Sequence, residues 1–184
     1  MSENNNLSFC VVSCLHFGGL MRGWNSYKDT YALMSHVASL QPGLLILNGS
    51  EVDLRLMGTD SLAVEDNQFL RPAAASVHYI ENTRRIMDQM AGAASKSIYY
   101  LPSENSVPLY MVDNGNPAPA LTAEANKAFL RRAPGRYYTF EQGNCFFICL
   151  DSEAEPENRG LISADQLMFL QKAAERAKAF PHVF

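Results

Sequence analysis

The sequence predicts an α/β fold. Three observations carry that expectation: short β-type runs alternate with stretches of helical periodicity, the run Leu44 to Leu47 is apolar at every position, and a hairpin pattern appears late in the chain, around Gly143. Alternating strands and helices argue for a largely parallel sheet, and the hairpin adds antiparallel pairing.

Leu7 to Val12 is a β-type run that ends at Ser13-Cys14-Leu15-His16 and the Gly18-Gly19 pair, so a strand is expected to run into a loop there. Tyr27, Tyr31, Met34 and Val37 then recur at helical spacing, and Gln41-Pro42-Gly43 supplies a stop. Leu44 to Leu47, bounded by Gly43 and Asn48-Gly49, has the unbroken apolar character of a strand buried on both faces, which places it centrally in a sheet. After a polar loop through Gly58 to Gln68, Pro72 opens a helical stretch with Val77, Ile80, Met87 and Met90 on one face and Gly92 near its end.

Ser97 to Leu101 is the next strand expected, broken by Pro102. A loop rich in Asn, Pro and Gly runs from Asn114 to Pro119, and a short helix is expected from Thr122 to Arg132. Tyr137–Glu141 and Cys145–Leu150 flank Gln142-Gly143-Asn144 and predict the hairpin. Ser163-Ala164-Asp165-Gln166 fits a capping box, in which the Ser hydroxyl accepts from the amide three residues on and the Gln side chain reaches back. Leu167, Leu170, Ala174 and Ala177 continue that helix, and a last strand begins at Pro181 and is expected to be cut short at Phe184.

Composition narrows the function classes. A chain of 184 residues with 47% hydrophobic and 18% charged residues supports one core and one domain, residues 7–184, behind a polar tail, residues 1–6, expected to be disordered. A net charge of -4 gives no electrostatic reason to approach a phosphate backbone, so nucleic acid is not an expected partner. No basic leader precedes an apolar core, and no apolar run approaches the roughly 18 residues of a membrane span, so a cytoplasmic protein without a membrane partner is expected. The four cysteines, Cys10, Cys14, Cys145 and Cys149, lie mostly in apolar runs without CxxC spacing, as reduced thiols would.

In an α/β sheet, ligands gather at the loops beyond the carboxyl ends of the strands. Those loops read Ser13-Cys14-Leu15-His16, Asn48-Gly49-Ser50-Glu51-Val52-Asp53 and Pro102-Ser103-Glu104-Asn105-Ser106. They stand where calcineurin-like metallophosphoesterases carry D-x-H, G-D-x-x-D and G-N-H-D/E motifs, each directly after a core strand. Tyr137 to Phe140, Gly143-Asn144, Phe147 to Ser152 and Ile162 through Phe184 also resemble that family, so the resemblance covers residues 7 to 184. It implies an αββα sandwich with mixed sheets, here without its C-terminal part, and hydrolysis of phosphate mono- or diesters by water activated on divalent metal ions (Mn, Fe or Zn).

Position by position, the resemblance puts Cys14 at the first Asp and leaves His16 in place, both at metal-ligand positions. Ser50 replaces the Asp that bridges two metals, and Asp53 keeps the later acid of that motif. Glu104 takes the position of the metal-binding Asn, Asn105 that of the catalytic His, and Ser103 that of the Gly. Two divalent ions ~4 Å apart repel by roughly 16 kcal/mol at an effective dielectric of ~20, which a bridging carboxylate offsets and a serine hydroxyl does not. Replacing His by Asn removes a proton donor, typically worth ~100- to 10,000-fold in rate.

The expectation is therefore a degenerate, inactive or strongly impaired member of the family, with a bound metal and an empty site both left open. The alternatives are an active phosphoesterase with a mononuclear site built on Cys14, His16 and Glu104, acting on a phosphorylated small molecule or phosphoprotein; a non-catalytic binding or regulatory module with a protein partner; and a gene fragment. A Cys14–His16 nucleophile and base lacks an identifiable third group. Asp53 is expected to shape its loop by accepting backbone hydrogen bonds. His36 and His78 are expected to be surface or boundary residues and His182 to be structural, Asp151 and Glu153 to face the cleft or solvate a loop, and Arg84-Arg85 and Arg131-Arg132 to be exposed helix charges.

Overall fold

A computed structural model describes residues 7–17, 26–52, 54, 77–103, 106–108, 112–113, 116–152 and 161–184. Within them the chain is a mixed α/β domain with four helices and two three-stranded sheets. The first sheet comprises β1 (Phe9–Val12), β2 (Leu44–Asn48) and β3 (Ile98–Leu101), all parallel, with β2 in the middle. Leu44, Leu45, Ile46 and Leu47 are all buried, as the apolar run predicts.

The crossovers between these strands are α1 (Ser26–Leu40) and α2 (Val77–Ala94). Right-handed crossovers in the order β1-β2-β3 put both helices on one face of the sheet, where they pack against each other. The buried face of α1 holds Thr30, Met34 and Val37, while Tyr31 is 49% exposed. Tyr31 fits the helical spacing of the sequence but loses the inner position to Thr30, whose hydroxyl donates to the Leu15 carbonyl at 3.4 Å. On α2, Ile80, Met87 and Met90 are buried as expected. The polar loop 58–68 and the start at Pro72 lie outside the described residues.

A two-residue ladder, β4 (Val112–Asp113) with β5 (Asn116–Pro117), occupies part of the stretch read as a loop. Helix α3 (Pro119–Leu130) begins three residues before the expected Thr122. Pro119 sits at the helix start, where a missing N–H costs nothing, and the Ala118 carbonyl accepts from the amides of Leu121 and Thr122.

The second sheet has the order β6-β7-β8, with β6 (Tyr138–Gln142) and β7 (Cys145–Cys149) forming the hairpin and β8 (His182–Val183) lying parallel to β7. The turn is tighter than the sequence suggests: Gln142 pairs with Cys145, and only Gly143 and Asn144 connect the strands. Gly143 has φ 59, the left-handed conformation that primed hairpin turns demand.

The two sheets face each other. Tyr99 stacks on Phe140 with ring centroids 3.5 Å apart, and Phe9 meets Phe147 edge-on at 5.8 Å. The other face of the second sheet carries α4 (Ala164–Ala177), whose Ala173 and Ala177 pack on Phe146. Contacts thus run helices, sheet, sheet, helix. The Ser163 hydroxyl accepts from the Gln166 amide at 3.3 Å, as the capping box predicts. The reciprocal half does not form, because the buried Gln166 side chain turns to Asp151 instead. Its position sets the inner face of α4 at Gln166, Ala173 and Ala177, leaving Leu167 55% exposed and Ala174 at the surface.

Candidate functional site: a platform of three loops

The loops that follow β1, β2 and β3 converge. The amides of Cys14, His16 and Phe17 donate to the carbonyls of Gly49, Ser50 and Glu51 at 3.3, 2.7 and 3.2 Å, so the chain after β1 runs alongside the chain after β2. Phe17 and Val52 continue this as a parallel bridge. The association bends the backbone hard: Cys14, His16, Gly49 and Ser50 all have positive φ, at 58, 47, 68 and 52°. For the three that are not glycine this is an uncommon conformation, held by the hydrogen bonds between the loops.

The third loop joins through Ser103. Its hydroxyl accepts from the Ser50 amide at 2.6 Å and from the Ser50 hydroxyl at 3.2 Å. It also lies 3.1 Å from the Ser106 hydroxyl. The approach is close enough to require Gly49, since a Cβ there would meet the Ser103 Cβ at 2.9 Å and the Pro102 carbonyl oxygen at 3.0 Å.

Beneath this polar layer lies a buried ion pair. Arg84 on α2 donates to the Glu51 carboxylate and to the Ser106 carbonyl, and the two side chains are 1% and 0% exposed. Burial raises the Glu51 pKa more than the Arg84 charge and the Glu51 backbone amide lower it. The same desolvation lowers that of Arg84, against the opposing pull of Glu51. Among the described residues, the second Glu51 oxygen and the Arg84 Nε are buried without a hydrogen-bond partner.

A second buried carboxylate, Asp151, follows β7. Its backbone is clamped by Gln166, which accepts from the Asp151 amide at 2.8 Å and donates to its carbonyl at 2.7 Å. Its side chain accepts from Arg136 Nε at 2.6 Å, and Arg136 reaches on to Asn126. Asp151 is 2% exposed, so it neither lines an open cleft nor solvates a loop.

The residues singled out by sequence therefore divide. Cys14 is exposed, and His16 and Ser50 are half-buried, side by side on the joined loops. Asp53, Glu104, Asn105 and Glu153 lie outside the described residues, as does the side chain of His78. His36 and His182 are exposed. Arg85 is an exposed helix charge and Arg131 an exposed charge at the C-cap of α3, but Arg84 is fully buried and Arg132 is half-buried against Asp88. The sequence places Glu51 and Ser106 in these loops without a role and Arg84 on a helix, and does not show that the three meet. The available signal was Arg84 itself: it falls between Ile80 and Met87 at helical spacing, so a charge sits on the apolar stripe of α2 and needs a buried partner.

The donor set bears on the metals that the resemblance implies. No three His, Cys, Asp or Glu side chains among the described residues are grouped to hold a metal ion. Ser50, where the resemblance puts a bridging Asp, offers a neutral hydroxyl engaged by Ser103, and the neighbouring carboxylate of Glu51 is turned inward to Arg84. Among the described residues this arrangement does not fit a two-metal centre. All four cysteines are free thiols, and burial pushes Cys149 up to about 11.

Fold and site define a class: a mixed α/β domain whose parallel sheet ends in a hydroxyl-rich platform over a buried ion pair. No protein-family model and no curated protein matches the chain. No described helix is long and apolar enough to cross a membrane.

Proposed function

We propose that this protein is a metallophosphoesterase-like scaffold without two-metal chemistry, a pseudo-phosphatase whose loop platform serves binding or regulation. The observation that carries this reading is the fate of the acid beside the bridging position. Glu51 is fully buried and paired with Arg84, while Ser50 presents an uncharged hydroxyl bound to Ser103. A pair of divalent ions needs negative charge between them, and neither group supplies it.

Support for the scaffold half of the reading comes from the order of layers and from the three loops. Helices, sheet, sheet and helix follow one another, and the loops meet beyond the carboxyl ends of three parallel strands, where the resemblance puts its motifs. Retention of such a surface without its metals suits a protein partner or a phosphorylated ligand held without turnover.

The test is the metal content of tag-free protein by elemental analysis, repeated on His16→Ala, alongside turnover of an aryl phosphate with added Mn or Zn. The expected result is no stoichiometric metal in either protein and no metal-dependent turnover. Near-stoichiometric metal that disappears in His16→Ala would overturn the reading in favour of a remodelled metal site.

A further inference from the structure

We infer that the hydroxyls of Ser50, Ser103 and Ser106 lock the loops after β2 and β3 together without a metal ion, with Ser103 as the hub. This deepens the reading above, on which the platform holds no metal pair. A charged bridge draws loops together by electrostatic attraction to an ion; here the same two loops are joined by neutral hydrogen bonds in a partly buried place, where an unmade bond carries a cost.

The geometry concentrates on one oxygen. Ser103 Oγ accepts from the amide of Ser50 at 2.6 Å and from the amide of Ser106 at 3.3 Å, so it fastens its own loop and the neighbouring loop at once. The hydroxyls of Ser50 and Ser106 lie 3.2 and 3.1 Å away. Ser106 Oγ in turn accepts from the Ser103 amide at 3.2 Å, closing the turn within the third loop.

Two further features make the hub positional. The Ser106 carbonyl accepts from Arg84, which ties the turn to α2, and Gly49 leaves room for the Ser103 side chain, as no residue with a Cβ would. Ser50 is thereby held at its positive φ from two sides: its amide by Ser103, and its carbonyl by the His16 amide. Ser103 is a positioning residue, and its effect is read at Ser50.

Amide hydrogen exchange by NMR tests this directly. In the wild-type protein, chelation with EDTA should leave exchange at the Ser50 amide unchanged. Ser103→Ala removes the acceptor and should speed Ser50 exchange by about tenfold. The Leu45 amide, which donates to Ser97 at 2.9 Å in the middle of the sheet, is the reference and should not move.

Acceleration by EDTA would overturn the inference, as would an unchanged Ser50 in Ser103→Ala. Equal acceleration at Ser50 and Leu45 would also overturn it, since that pattern reports general loss of stability. Ser106→Ala, which spares the Ser50–Ser103 bond, should give a smaller acceleration at Ser50 than Ser103→Ala; a larger one would move the hub to Ser106. Metal found by elemental analysis together with EDTA-indifferent Ser50 exchange would remove the pseudo-phosphatase reading and leave this inference standing.

Discussion

Two ion pairs stand one turn apart on α2 and behave as different objects. Arg84 pairs with Glu51 in a place where both side chains are 1% exposed or less. Four residues on, Asp88 meets Arg132 of the chain just after α3, with side chains 35% and 18% exposed. The outer pair is the better bonded: Arg132 Nε lies 2.8 and 2.7 Å from the two Asp88 oxygens, and Tyr100 donates to the same carboxylate at 2.8 Å. The inner pair leaves Glu51 Oε2 and Arg84 Nε without partners among the described residues.

The difference teaches where a charge helps and where it only fixes geometry. Water still reaches Asp88 and Arg132, so their attraction is screened and modest. Glu51 and Arg84 have lost their water, and the directions of both their pKa values show desolvation outweighing mutual attraction. Such a pair stabilises little, yet it ties the loop after β2, the turn at Ser106 and α2 to one another.

The largest effect that would sharpen this contrast is expected from Arg84→Met. It leaves a buried carboxylate unpaired and should cost about 3–5 kcal/mol, read from the urea unfolding midpoint. A loss no larger than that of a surface pair would break the distinction. The double variant Glu51→Leu/Arg84→Met should return to within about 1 kcal/mol of wild type or exceed it, because both desolvation costs vanish together. If the double variant loses as much as the sum of the singles, the pair is not acting as a unit.

Arg132→Met should cost about 1 kcal/mol, and that cost should shrink as salt is added. Salt-independence would place the outer pair with the inner one. The smallest effect expected is in pH dependence. The folded-state pKa of Glu51 is raised, so the folded protein holds the proton more tightly than the unfolded chain. The contribution is present below the ordinary carboxyl value of 4.5 and is lost as pH rises through the folded value. Lowering pH from neutral toward 4.5 should therefore stabilise wild type relative to Glu51→Gln, in unfolding curves collected across that range; the opposite slope would reverse the assigned direction.

How much of this could be read from sequence depended on whether the signal was local. The unbroken apolar run of β2 needs no partner to be recognised, because its shortness and the turn residues on both sides, Gly43 and Asn48-Gly49, favour a strand covered on both faces. The hairpin and the Ser163 cap were legible for the same reason: Gly143 and Ser163 act on backbone within a few residues of themselves. The loops at the strand ends could be located, but not what joins them.

What failed was every choice between chemically equal neighbours. Tyr31 and Thr30 both fit the inner face of α1, and the Leu15 carbonyl, fifteen residues away, decides for Thr30. Gln166 could complete its cap or reach Asp151, and the buried backbone after β7 decides. Arg84 looked like its exposed neighbour Arg85 until Glu51 was brought beneath it.

The sequence by itself determined the helices, the central strand, the hairpin and the positions of the three strand-end loops, but not the β4–β5 ladder, since periodicity, turn residues and caps act at short range. Only the tertiary structure decided which polar side chains meet: Ser50 with Ser103, Glu51 with Arg84, Asp151 with Arg136. The physical reason is that a buried polar group takes whichever partner folding delivers to it, and those partners come from other elements, distant along the chain.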